Sequence, residues 1–284
     1  MLPFTSDISQ AQPGVWPLGI TPAQQVRRLV LAAGAENKNK LAALVPQNIF
    51  GEALANGVAA GATAAHMPEP KIARVPATFA AMNDALKDLS SFSSRRGAIE
   101  AQQRAARTRN DADGRREAAE IGRRAPSAPP MDALFLGVTG DLLGQVVPLL
   151  AFYDVSPAQV RILGPGTWAR EAARQPALAG AWFAAPDPAL RAGFEKEYGA
   201  KYGGQPREYT SLAYDAAGIA RAAMVPEGFS VSSIQRQEGF AGADGLIALL
   251  PDGQVRRGLA IFEVDRGGSH IVQPAPQTLS APGV

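Results

Sequence analysis

The chain has 284 residues, 46% of them hydrophobic and 19% charged, the balance of a globular protein with core enough for one large or two ordinary domains. Zero cysteines exclude a disulfide framework, a thiol nucleophile and any thiolate metal site, and only His66 and His270 remain for metal or acid–base work. The formal charge of +2 is a mild basic excess, much of it in one run, and predicts no nucleic-acid partner.

No uninterrupted apolar stretch of about 18 residues marks a membrane span. The residues after Met1, Leu2-Pro3-Phe4-Thr5-Ser6-Asp7, lack the basic and apolar regions of a signal peptide. The chain as given therefore reads either as cytoplasmic or as beginning downstream of a natural start.

In chain order, residues 2–4 read as the end of a strand and residues 15–20, with Pro17 inside, as an edge or crossing strand. Thr21 is an N-cap with Pro22 behind it, and Val26, Leu29 and Val30 give the stripe of a helix ending at Gly34. Residues 40–45 form the next strand, and residues 50–65 a small-residue helix with Leu54 and Val58 on one face. Residues 72–75 are a strand, and residues 77–89 a helix with Phe79, Met82, Leu86 and Leu89 at core spacing. Strands alternating with helices predict βαβ units and a largely parallel sheet.

Residues 90–130 break the rhythm. From Arg95 to Arg124 the run is dense in Arg, Glu, Gln and Ala, and a Pro-rich stretch follows. A helix polar nearly all round cannot sit in a core, so this segment reads as a solvated, peripheral insertion rather than a docking arm.

Residues 131–186 are the segment the fold is built on. Three apolar runs, with a periodic segment containing Pro148 between the first two, predict strand, helix, strand, short helix, strand. Ligands of such sheets meet the loops at the carboxyl ends of the strands, here residues 137–141 and 164–168. Residues 188–202 and 211–224 follow as amphipathic helices. Asp252-Gly253 between residues 246–250 and 255–264 marks a β-hairpin. Residues 270–272 offer a last strand, and the tail after it frays.

The catalytic inventory is thin. The sequence has no G-x-S-x-G elbow, no phosphate-binding G-x-x-x-x-G-K loop and no H-E-x-x-H. His66 and His270 have no partner carboxylate legible in the sequence, Asp215 reads as a structural helix residue, and Asp141 stands without a second carboxylate. Catalytic residues, metal ligands and cofactor sites are all predicted to be none.

These residues carry a resemblance. The segment Thr21-Pro22-Ala23-Gln24-Gln25 after its crossing, the strand and loop at residues 42–51 and Ala213-Tyr214-Asp215 resemble type I periplasmic binding proteins of the leucine/isoleucine/valine-binding kind. Residues 149–155, 180–188, 239–245 and 251–253 resemble the penicillin-binding protein activators. The resemblance covers nearly the whole chain.

It implies an α/β fold of two lobes with parallel sheets, three crossings and a cleft. On that plan residues 1–22 are a remnant of the first lobe and the crossing. Residues 23–172 form the second lobe with the charged insertion at 90–130, and the hairpin near residues 242–257 belongs with it. Residues 173–237 return to the first lobe, 238–265 hold the hairpin and third crossing, and 266–284 are a tail that belongs with the first lobe. The first lobe looks N-terminally truncated by about a hundred residues, the size of one domain.

The resemblance also nominates cleft residues: Thr5 and Ser6 for a ligand carboxylate, Phe50 and Thr139 or Gly140 at the aromatic positions, and Thr167 and Trp168 in the following loop. The acidic partner for a ligand ammonium is expected in residues 164–167 and is missing there, which argues against a free amino acid. The function implied is a non-enzymatic envelope protein that contacts a peptidoglycan synthase, a penicillin-binding protein. Its location is the periplasm or, in a full-length form, an outer-membrane lipoprotein. The alternatives are the substrate-binding subunit of an ABC importer for branched-chain amino acids or related small ligands and, behind it, a cytoplasmic α/β domain.

Overall fold

The protein is described from a computed structural model that covers residues 1–123, 126–207, 209–225 and 228–278. Arg124 and residues 279–284, ends of two predicted segments, lie outside the described residues. Thr21 opens α1 (Pro22–Ala35) with a full capping box: its hydroxyl accepts from the Gln24 N–H, and the Gln24 side chain accepts from the Thr21 N–H. There follow β1 (Leu41–Pro46), α2 (Ile49–Ala64), β2 (Lys71–Val75) and α3 (Phe79–Leu89). The polar run forms α4 (Phe92–Thr108) and α5 (Ala112–Gly122).

Then come β3 (Ala133–Leu136), α6 (Gly140–Phe152), β4 (Arg161–Gly164), α7 (Trp168–Glu171) and β5 (Trp182–Ala185), in the predicted order. The helices α8 (Pro188–Tyr202) and α9 (Thr210–Ala223) lead to a short strand pair, β6 (Met224–Val225) and β7 (Gly228–Phe229), and to α10 (Val231–Ile234). The chain closes through β8 (Phe240–Gly242), β9 (Gly245–Leu249), β10 (Val255–Arg257), β11 (Ala260–Asp265) and β12 (Gly268–Gln273).

Seven strands form one sheet in the order β12-β11-β5-β4-β3-β1-β2. From β5 to β2 every pairing is parallel, while β11 and β12 add antiparallel strands at the other edge. Side chains alternate across this sheet with period two. Leu41, Ala43 and Val45 pack with Val26, Leu29, Leu54 and Val58 of α1 and α2. Ala42 and Leu44 face the other way, onto Met82, Leu86, Val146 and Leu150 of α3 and α6. Each leucine-sized side chain so buried contributes about 1.5–3 kcal/mol. α1 and α2 approach closely because residue 61 is glycine; a Cβ there would stand 2.8 Å from the Val30 Cβ.

A smaller unit stands apart from this three-layer body. β8, β9 and β10 form an antiparallel sheet covered by α9, with Trp16, Leu18, Leu212, Ile219, Phe240 and Ile247 in its core.

Several expectations change here. Residues 2–4 and 15–20 are not strands; they run side by side, with Pro3 and Thr5 carbonyls accepting from the Leu18 and Gly19 N–H groups, both at 2.9 Å. Phe79 is exposed rather than in the core, because it occupies the first position of α3, just after the Thr78 cap.

Residues 255–264 are not one strand. Arg257 is pinned in the small unit, and the chain then turns at Gly258 into β11. The hairpin therefore packs with α9 in the small unit and touches α1 of the large one, where the Val255 carbonyl accepts from the Gln24 side chain. The end of the chain joins the large sheet instead, where β11 covers the edge that β5 would otherwise leave unpaired.

The insertion is a helical hairpin with a small core of its own, Ala106, Ala118 and Ile121 against Ile99. Its root is packed rather than peripheral: Arg95 is buried and donates to the carbonyls of Ser90, Ser127 and Tyr153.

Candidate functional site

The parallel strands β1, β3, β4 and β5 end along one edge of the sheet, so the loops after them emerge together. Between that edge and the small unit lies a cleft of about 630 Å³. The chain passes between the two units at residues 19–21, 185–188 and 257–260, and Gly19, Ile20, Ala185 and Pro186 line the cleft from two of those passages. Gly19 has no room for a Cβ, which would stand 2.6 Å from the Ser6 nitrogen. That contact seats Thr5 and Ser6 at the cleft wall.

Of the residues expected here, Thr5, Ser6 and Thr167 line the cleft. The Thr5 hydroxyl accepts from the Asp7 N–H at 3.1 Å. Gly140, at φ +63°, adjoins it: its N–H donates to Oε2 of the cleft-lining Glu171 at 2.9 Å. Thr139 stands at the N-cap of α6 without a side-chain cap bond. Phe50 packs on the α1–α2 side of the core and is not among the cleft residues.

Trp168 is a structural residue. It is 1% exposed, its Nε1 donates to the Val138 carbonyl at 3.0 Å, and its ring fills the space a side chain on Gly164 would need. As the first residue of the short helix α7, close after β4, its side chain packs back onto the end of the strand before it.

The cleft also holds groups the sequence did not point to. Glu171 lies one turn beyond the loop in which an acid was sought, and Asp244 comes from the turn between β8 and β9. Residues 164–167 hold no acid, as read, but these two carboxylates stand in the cleft beside that loop, and both are already engaged. Asp244 is buried and pairs with Arg191 at 2.6 Å, and Arg191 also holds Glu195 at 2.8 Å. Burial alone would lower the Arg191 pKa; Asp244 and then Glu195 outweigh it and hold the guanidinium above its ordinary value. Arg170 and Thr167 are exposed on the opposite wall, and the Gln25 side chain accepts from the Gly166 N–H at 3.3 Å, fixing the loop. Asp244 stands in the Gly-Ala-Asp-Gly run that a hairpin reading treats as turn chemistry, so only the tertiary pairing with Arg191 reveals it.

Elsewhere, His270 does have a carboxylate neighbour, Asp265 at 2.6 Å across the β11–β12 turn, but both are exposed on the surface. Among the described residues no group of three or more His, Cys, Asp or Glu could hold a metal ion. No helix among them is long and apolar enough to cross a membrane.

No family model matches the chain, and no curated protein matches it in sequence. Solved structures do. A structure assigned to a branched-chain amino acid ABC transporter from Rhodospirillum rubrum is similar at TM-score 0.58 and 16% identity, over 90% of this chain and 67% of that one. The branched-chain amino acid ABC transporter periplasmic ligand-binding protein of Burkholderia xenovorans is similar at TM-score 0.51 and 14% identity, over 92% and 66%. The C-domain of LpoA from Haemophilus influenzae, a regulator of PBP1A, is similar at TM-score 0.53 and 14% identity, over 95% and 73%. The chain spans about two thirds of the length of the two transporter proteins. The fold is that of the type I periplasmic binding proteins, two α/β lobes about a cleft, and these relatives are binding proteins and a regulator.

Proposed function

We propose that this protein acts in the cell envelope by contact, without chemistry of its own, as an activator of a penicillin-binding protein in peptidoglycan synthesis. The observation that carries this reading is an exposed aromatic face on α8 and α9. Phe194 meets Tyr214 at 5.0 Å and Tyr198 meets Tyr202 at 5.0 Å between ring centroids. Over the buried Phe194, Tyr202 and Tyr214 of this cluster are 65% and 46% exposed. Large aromatic rings left in solvent together are the composition of a protein-binding patch. The likeness to an LpoA domain supports the same direction.

Surface plasmon resonance of the protein over the periplasmic part of a penicillin-binding protein from the same cell tests it. Saturable binding is expected, weakened about tenfold or more by Tyr202→Ser with Tyr214→Ser. Binding unchanged by the double substitution would remove the patch from the reading.

The second reading, the substrate-binding subunit of an importer for branched-chain amino acids or related ligands, is favoured by the size of the cleft and its hydroxyl wall at Thr5, Ser6 and Thr167. Against it stands the engagement of both cleft carboxylates, which leaves an ammonium group to compete with Arg191 and with the Gly140 N–H. Calorimetry with leucine is expected to show no saturable heat. Micromolar binding, about −8 kcal/mol, would replace the activator reading by the receptor one.

A further inference from the structure

The polar run whose composition reads as a solvated insertion has its charges sorted by the fold. Ile99 and Ala106 of α4 meet Ala118 and Ile121 of α5 in the cluster between the two helices. That contact fixes the angle of every other position, at about 100° per residue. On this period Arg96, Arg104 and Arg107 of α4 and Arg115 of α5 share one broad face of the hairpin, with Glu100 as the acid among them. The opposite side carries Asp113, Glu117 and Glu120, and the ion pairs Arg109–Glu117 and Arg116–Asp113 form there.

The arginine face is open. Arg96, Arg104, Arg107 and Arg115 are all exposed, and among the described residues none of the four makes an ion pair or a side-chain hydrogen bond. From Arg96 to Arg107 the row is about 16 Å long, and two helices side by side give it a width of about 20 Å. At its root Arg96 lies over the Phe92 ring at 5.4 Å, Phe92 stacks on Phe152, and Phe152 is 63% exposed.

The hairpin also projects away from the cleft. α3 and α6 start at the cleft edge of the sheet and run back along it, and Arg95 ties the hairpin to their far ends through the Ser90 and Tyr153 carbonyls. A projecting, broad face of unpaired arginines with an aromatic ring at its margin matches a layer of phosphate headgroups, where guanidinium groups take the phosphates and rings settle at the interface. An acidic peptide would instead call for a groove that holds one strand or one helix.

We propose that the arginine face of the α4–α5 hairpin rests on a membrane surface rich in anionic phospholipid. Arginine forks bind phosphate through paired, charge-assisted hydrogen bonds. The contact is independent of the aromatic face on α8 and α9, and it leaves that face and the cleft free at the other end of the sheet.

Cosedimentation of the whole protein with vesicles tests this, using equal parts phosphatidylglycerol and phosphatidylcholine against phosphatidylcholine alone. Binding is expected on the anionic vesicles only, and it should fall steeply as salt rises from about 50 to about 300 mM. Arg104→Gln with Arg107→Gln is expected to lower the partition coefficient about tenfold or more. Arg109→Gln with Arg116→Gln makes the same change in net charge on the other side and is expected to stay within about twofold of the parent. All four positions are exposed, so both variants should fold, which far-ultraviolet circular dichroism checks. No binding to the anionic vesicles, equal binding to phosphatidylcholine alone, or an equal loss in the two double variants would each overturn the proposal. So would saturable binding of poly-L-glutamate with none of the vesicles, the mark of a surface for an acidic protein.

Discussion

The side chains of Asp215 and Arg257 are 0% and 1% exposed and lie 2.9 Å apart, with the Ala243 N–H donating to the same carboxylate at 2.7 Å. This pair joins α9, the hairpin and the crossing segment. Removing one partner strands a buried charge, so Asp215→Ala and Arg257→Met are each expected to lose about 3–5 kcal/mol in urea unfolding at neutral pH. Asp215→Leu with Arg257→Met together should recover most of that loss, because the desolvation cost disappears with the charges. Burial lifts the Asp215 carboxyl above its ordinary 3.8, with Arg257 and the Ala243 N–H opposing. A carboxyl with a raised folded-state pKa favours the native state below 3.8 and loses that contribution as pH rises through the raised value. Relative to the double variant, the parent protein should therefore gain melting temperature as pH is lowered from about 7 to about 4.

At the scale of the element, the α4–α5 hairpin separates a packed root from a solvated tip. Phe92 stacks on Phe152 at 5.8 Å and meets Tyr153 edge-on at 5.0 Å between centroids, while Arg95 holds three carbonyls and lies 3.5 Å from Asp154. Beyond Arg96 the helices bury only their own small cluster. Deleting residues 97–126 and closing the gap with a short Gly/Ser linker is expected to leave the melting temperature within about 2 °C of the parent, since less than about 1 kcal/mol of packing onto the body is lost. Arg95→Met, which orphans the three carbonyls, should cost about 2–4 kcal/mol, read as a drop of about 5–10 °C. A larger fall in the deletion than in Arg95→Met would show that the tip is docked.

For the whole molecule, the sheet decides which parts open last. β3, β4 and β5 have neighbours on both sides and helices on both faces, and β11 closes the β5 edge. Hydrogen exchange is expected to find the slowest amides in β1, β3, β4, β5 and β11, with β2 and β12 faster as edge strands. The slow set should include residues 182–185 and 260–265. Fast exchange there, with slow exchange limited to residues 27–163, would contradict the sheet order.

The sequence by itself determined the local elements. The Thr21-Pro22 cap, the Asp252-Gly253 turn, the α3 stripe at Met82, Leu86 and Leu89 and the strand rhythm of residues 131–186 are short-range signals, and each stands where it was read. Cap, turn and periodicity act within a few residues, so the chain carries them without help from its fold. Only the tertiary structure decided which sheet the last strands join, which way Trp168 points, that Arg95 anchors a segment polar in composition, and that Asp244 meets Arg191 at one wall of the cleft. Those outcomes depend on partners up to 81 residues away, as Trp182 and Glu263 are. A strand edge, a buried charge or a ring beside a glycine is satisfied by whatever the fold brings to it, and nothing in the neighbouring sequence names that partner.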